Sequence, residues 1–308
     1  MSKLKFDADT PIYTTGPDHG HKAWRMQDAR AALAEVYARG KPVVVFVHGR
    51  GKEPNKSFRG ATFAKGLAVW KLELGYDCSV VMFNWDSAFP GILFLDRSRA
   101  LGNTVDGGRR LTEFLGELAR FQVNRPELAK PALLAHSMGT IVLQHAIDSG
   151  AWPAGGPLFT HVVLSEPDAD DIGHGAWLKK LGSRETAFST LNADDKVLKR
   201  STDARPQNAH ALGLGTTEPL APNVRYIDLT SMGTLGAVDD DHEVFGKGAM
   251  NGQVNVCAVF EQALLGKSVT LNDSNVASIT REVVYALKQR SDANAPCLRI
   301  PALPEFAE

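Results

Sequence analysis

The sequence predicts an α/β fold: a mostly parallel central sheet with helices on both faces, in one domain spanning residues 1–308. Three observations carry that expectation. Short continuous apolar runs end in turn residues, as strands buried on both faces do. Stretches of helical periodicity separate these runs, the alternation expected of a parallel sheet with crossover helices. The composition, 44% hydrophobic and 22% charged over 308 residues, supplies enough apolar material for a large core.

In chain order, the helical pattern QDARAALAEVYARG (27–40) precedes the first strand, PVVVFVHG (42–49). CSVVMFNW (78–85) is the second strand, GGRRLTEFLGELARFQ (107–122) the next helix and ALLAHS (132–137) the third strand. GTIVLQHAIDSG (139–150) is helical and stops at Gly150. HVVLSEP (161–167), TAFSTL (186–191) and NVRYIDLTS (223–231) complete the strands. The Pro-, Gly- and Thr-rich stretch 200–222 is a loop excursion within the domain, since a strand follows it directly. NVCAVFEQALLG (255–266) and NVASITREVVYALKQR (275–290) are expected as helices, so the core covers about 40–265, between an N-terminal extension (1–40) and C-terminal helices and tail (266–308).

The net charge of −1, with both signs interspersed, argues against a nucleic-acid or anionic-membrane partner. The N-terminus has no apolar signal core, and no run of eighteen apolar residues marks an integral membrane segment, so a cytoplasmic protein is expected, with export by a route lacking a cleavable signal left open. Cys78, Cys257 and Cys297 are odd in number and widely spaced, which fits a reducing compartment rather than a disulfide scaffold or zinc site.

Chemistry concentrates on AHSMG (135–139). Ser137 follows an apolar strand and precedes Gly139 and a helix, the strand–turn–helix setting of a nucleophile elbow. The sharp turn needs small residues two before and two after the serine; Gly139 is one, and Ala135 adds a single methyl group. A serine hydroxyl needs a base, and the base an orienting acid, in the order Ser, acid, His. After Asp195 only His210 and His242 remain, and His242, beyond the last strand, is the better-placed base. Asp195, in the loop after strand 186–191, is the preferred acid. Asp194 beside it and Asp168 one strand earlier are the alternatives, and one of the aspartates at 194–195 is expected to cap the short helix that begins at KVL. Two backbone N–H groups, of Met138 and of Arg50 in FVHGRG, are candidates for an oxyanion hole. His48 precedes the serine in the chain and reads as a loop-orienting residue.

These motifs, VFVHG, NWDS, AHSMGT, NADDKVL and DHEVF in that order, resemble the α/β-hydrolase superfamily, and more closely a bacterial group of serine esterase- or lipase-like hydrolases, over about residues 40–265. The resemblance implies a Ser137–His242–Asp195 triad, an oxyanion hole from Arg50 and Met138, and cleavage of carboxylic esters through an acyl-enzyme with no cofactor and no metal. A small-molecule or lipid ester is then the expected substrate. The same triad also serves lipases, phospholipases and amidases, and the fold can persist as a non-catalytic binding protein. The sequence departs from the group's pattern at Ala135, in place of glycine, and at Asp86, where proline is more usual.

A substrate pocket is expected around His48, Gly49, Trp85, Phe89 and Ile92, with the apolar run AFPGILFL (88–95) as pocket wall, lid or buried turn. DDDH (239–242) and HGH (19–21) read as solvated loops rather than metal ligands, Arg109-Arg110 as a solvated helix face, and Cys257 and Met250 as core. Oligomeric state is not encoded in any recognisable signal.

Overall fold

A computed structural model describes residues 11–16, 21–50, 61–87, 95–152, 158–183, 186–202, 205, 209–232, 242–246 and 253–292. Phe89, Ile92, Gly51, Met250, Cys297, His19 and the aspartates at 239–241 lie outside these residues. The elements are β1 (Ile12–Thr15), β2 (His21–Trp24), α1 (Ala29–Tyr37), β3 (Val43–Val47), α2 (Ala61–Tyr76), β4 (Ser79–Phe83), α3 (Leu95–Val123), β5 (Ala132–His136) and α4 (Gly139–Ala146). There follow β6 (Val162–Ser165), α5 (His174–Leu178), β7 (Ala187–Leu191), α6 (Lys196–Thr202), β8 (Arg225–Asp228), α7 (Val254–Leu264), β9 (Val276–Thr280) and β10 (Val284–Leu287).

The described strands form one sheet in the order β2-β1-β4-β3-β5-β6-β7-β8-β10-β9. From β4 to β10 every neighbouring pair is parallel, while β1–β2, β1–β4 and β9–β10 are antiparallel. The sheet is the predicted α/β architecture, and β3 to β8 are the six predicted strands. Alternation sends their side chains to opposite faces. Val43, Val45, Val47, Leu133, Ala135 and Leu164 pack with α1, α3, α4 and α5 in one core. Val44, Phe46, Leu134, Val163, Phe188 and Ile227 pack with α2 and α7 in the other. Cys257, predicted as core, is fully buried there.

The segment 275–290 is a hairpin, not the predicted helix. Val276, Ile279, Val283 and Leu287 do recur at helical spacing, which is why the sequence misleads. The stretch is rich in β-branched residues, which suit a pleated surface. Arg281 and Glu282 turn the chain with φ of 47° and 61°, a conformation usually supplied by Gly or Asn. With no glycine to mark the turn, the hairpin is hidden. β10 then pairs with β8 and extends the sheet. Residues 242–246, which carry His242, form an irregular turn, and α7 starts at Val254. The antiparallel pair β1–β2, with β2 at the sheet edge, and the helices α2 and α5 have no counterpart among the predicted elements.

Chain order reverses beside β3. From β3 the chain steps outward to β4, then returns to place β5 on β3's other side. Ligands of parallel sheets sit beyond the carboxyl ends of the strands at such a switch point. No helix among the described residues is long and apolar enough to cross a membrane.

Candidate active site

The turn after β5 stands at that switch point. Ala135 pairs with Val47 of β3 and Leu164 of β6, so the strand end is held on both sides. Its methyl group is fully buried in the core shared with α4, and the turn still closes. Ser137 then takes φ of +52°, left-handed backbone that a non-glycine residue adopts only when its surroundings impose it. They do so through hydrogen bonds. Ser137 N–H donates to Ser165 O at 3.0 Å. Its carbonyl accepts from Thr140 N at 3.0 Å, Thr140 Oγ1 at 2.7 Å and Asp168 N at 3.2 Å. Two glycines make the approach possible. A Cβ on Gly139 would stand 2.4 Å from Val47 O and 2.6 Å from His48 O, and one on Gly49 would stand 2.7 Å from the Cβ of Ser137.

Ser137 Oγ lies 2.8 Å from His242 Nε2, and His242 Nδ1 lies 2.7 Å from Asp195 Oδ2. Three segments far apart in sequence thus meet in one hydrogen-bonded line. Asp195 is fully buried and divides its carboxylate between two tasks: Oδ2 faces the imidazole, while Oδ1 accepts from Leu198 N–H at 2.8 Å and caps α6. The capping and orienting roles that the sequence treats as alternatives fall on the same side chain. Asp194 points outward, 69% exposed and paired with Lys199 at 3.1 Å. Asp168 is buried and paired with Arg205 at 2.5 Å, also accepting from Ser201 Oγ. Neither of those two carboxylates bonds to His242 among the described contacts. His210 donates its backbone N–H to Asp171 Oδ1 at 2.7 Å, away from the line.

Burial alone would depress the pKa of His242. The hydrogen bond and charge of Asp195, joined by Glu166 and Asp168, outweigh it and hold the imidazole above its usual value. Below it lie two further titratable groups to which the sequence reading gives no role. Burial pushes Glu166 up to about 8, against the pull of the Ser165 hydroxyl and the His242 charge. Burial, with the charges of His242 and Lys71, pulls His136 down to about 3. Only the strand register could have paired them: His136 stands opposite Ser165, next to Glu166.

The loop after β3 flanks the serine. His48 is buried; its Nδ1 donates to Gly49 O at 2.6 Å, and Trp85 Nε1 donates to His48 O at 2.7 Å. The two rings stack 5.7 Å apart at 12°. His48 and Trp85 therefore sit beneath the loop and fix its course, with Gly49 against the serine and Arg50 exposed beyond it. Met138 directly precedes α4, whose N-terminal N–H groups have no partners within the helix. Asp86 is held to α3 by Asn103 Nδ2, at 3.0 Å from its carbonyl and 3.2 Å from Oδ2. On α3, Arg109 is exposed and paired with Asp106 and Glu113, as a solvated helix face should be, whereas the Arg110 side chain, also paired with Asp106, is only 19% exposed. Among the described residues, no three His, Cys, Asp or Glu side chains cluster as metal ligands.

No curated protein matches the chain in sequence. Residues 26–238 match a family described as alpha/beta hydrolases of unknown function, DUF900. The matched stretch holds Ser137 and Asp195 and ends shortly before His242. With more than half its length matched and a sheet of the corresponding architecture, the chain belongs to this alpha/beta-hydrolase family.

Proposed function

We propose that the protein is a serine hydrolase that cleaves carboxylic esters through an acyl-enzyme. The observation that carries this reading is the unbroken line Ser137 Oγ–His242 Nε2, His242 Nδ1–Asp195 Oδ2, at 2.8 and 2.7 Å. In the free enzyme His242 Nδ1–H donates a hydrogen bond to Asp195 Oδ2, which leaves Nε2 as the lone-pair nitrogen facing the serine. As Ser137 attacks the carbonyl carbon, its proton passes to His242 Nε2. The resulting imidazolium is stabilised by Asp195, and the developing oxyanion by the N–H groups of Met138 and Arg50. His242 then delivers the proton to the leaving alcohol. Water, activated by the same nitrogen, releases the acid and restores Ser137.

A small-molecule or lipid ester, met in the cytoplasm, is the proposed substrate class, and no cofactor enters any step of the scheme. The raised pKa of His242 sets the pH dependence: the neutral imidazole is the base, so kcat/KM falls as pH drops through a pKa raised, against the opposing effect of burial, from the usual histidine value by the Asp195 hydrogen bond and charge. The experiment is a panel of p-nitrophenyl esters graded from acetate to palmitate, with a triglyceride emulsion, a phospholipid dispersion and an anilide alongside. A burst of nitrophenol followed by slower turnover, lost by roughly 10⁶-fold in Ser137→Ala, is the expected result. Preference for the emulsion or dispersion would move the reading to a lipase or phospholipase, and for the anilide to an amidase. No turnover of any member would favour a binding protein on a hydrolase fold.

A further inference from the structure

The ring of His242 is held from one side by Asp195 and faces Ser137 on the other, but a third side chain grips its backbone. His136 Nε2 lies 2.7 Å from the carbonyl oxygen of His242. A carbonyl only accepts, so Nε2 carries the proton and donates. The two imidazoles stand 5.0 Å apart at 51°, and Phe245 packs edge-on against His136 at 5.0 Å and 70°. Behind the same nitrogen, at 3.8 Å, is Glu166 Oε2. That carboxyl is fixed in turn: Ser165 Oγ donates to Oε2 at 2.5 Å, Thr190 Oγ1 lies 3.3 Å from Oε1, and Glu166 N–H donates to Thr190 Oγ1 at 2.7 Å. Glu166 holds φ of +44°, an imposed conformation like that of Ser137.

We propose that His136 is a positioning residue, which ties the general base to the nucleophile's own strand through its bond to the carbonyl of His242, with Glu166 backing its ring. This rests on the hydrolase reading above. Ser137 and His242 are 105 residues apart, and their 2.8 Å contact depends on how the turn 242–246 is seated. His136 is adjacent to Ser137 in the chain, so one hydrogen bond fixes base and nucleophile relative to each other. With its pKa near 3 the ring is neutral around pH 7, so it adds no cation beside the imidazolium that forms at His242. A shift of the base by about 1 Å is enough to lower turnover roughly 10²-fold.

The test uses His136→Phe, which fills the space beside Phe245 but cannot donate, and His136→Gln, whose amide N–H falls near the position of Nε2. Two readouts are taken: p-nitrophenyl acetate kinetics, and the downfield proton resonance of the His242 Nδ1–H···Asp195 bond. In His136→Phe, kcat is expected to fall by about 10²-fold with KM changed by no more than about twofold, and the resonance to vanish through exchange. His136→Gln is expected to restore the resonance and most of kcat. Wild-type kcat and resonance in His136→Phe would overturn the proposal, as would a folded His136→Gln with neither restored. If His136→Phe does not fold, His136→Asn, whose shorter amide does not reach the carbonyl of His242, takes its place with the same expected losses. The resonance reports His242 without turnover, so its loss in His136→Phe of a chain that hydrolyses no ester would uphold the positioning role while refuting the esterase reading.

Discussion

Replacing Asp195 separates the two tasks its carboxylate performs. In Asp195→Asn the amide oxygen can keep the bond from Leu198 N–H, at 2.8 Å in the wild type, so the cap on α6 survives. The amide nitrogen then faces His242 Nδ1 in place of Oδ2, at 2.7 Å. An amide N–H donates, so Nδ1 must accept and the ring proton moves to Nε2, which can no longer take the serine proton. The analogous tautomer reversal in serine proteases lowers kcat by about 10⁴-fold, and a similar loss is expected here with little change in Tm. Asp195→Ala removes the cap as well and should cost about 1 kcal/mol of stability in addition to the activity. Asp194→Asn removes only an exposed pair with Lys199 and should change neither. Steady-state hydrolysis of p-nitrophenyl acetate and thermal unfolding followed by circular dichroism read the two effects separately. Activity of Asp195→Asn within tenfold of wild type, or an equal loss in Asp194→Asn, would refute the assignment.

Two further perturbations test the packing and the electrostatics beneath the site. Gly139→Ala places a methyl group against two backbone carbonyls at 2.4 and 2.6 Å, so the elbow must shift; a loss of about 1–3 kcal/mol is expected in denaturant unfolding, whereas Gly102→Ala, with open space at its Cβ, should be neutral or mildly stabilising. Glu166 is a carboxyl whose folded pKa, about 8, lies above its unfolded value near 4.5. Its protonated form favours the folded state, so that contribution is complete below about pH 4.5 and is lost as pH rises toward about 8, a change on the order of a few kcal/mol. Glu166→Gln removes the dependence, and its Tm should therefore gain on the wild type between those pH values and level off above them; a gap constant with pH would contradict the burial argument.

Ser137 and Asp195 could be located in the sequence because each follows within a few residues of a buried strand whose apolar run marks where it ends, whereas His242, well past β8 (Arg225–Asp228), could be singled out only by its place in chain order. Ala135 shows how a motif tolerates change: its methyl group joins the core shared with α4 while the two glycines keep the crowded positions open. The hairpin 276–287 was not legible, since its apolar residues fall at helical spacing and its turn uses Arg281 and Glu282 rather than glycine. His136 and Glu166 stayed hidden for a different reason. Their meeting depends on the register of β5 against β6 and on the seating of the 242–246 turn, and neither is written in local sequence.

We propose that Ser137 is a nucleophile activated by His242. The most direct measurement is labelling with a fluorophosphonate probe, followed by mass-spectrometric mapping of the adduct. One adduct is expected, on Ser137 of the wild type, absent in Ser137→Ala and strongly slowed in His242→Ala. Equal labelling of wild type and Ser137→Ala, or no labelling of the wild type, would contradict it.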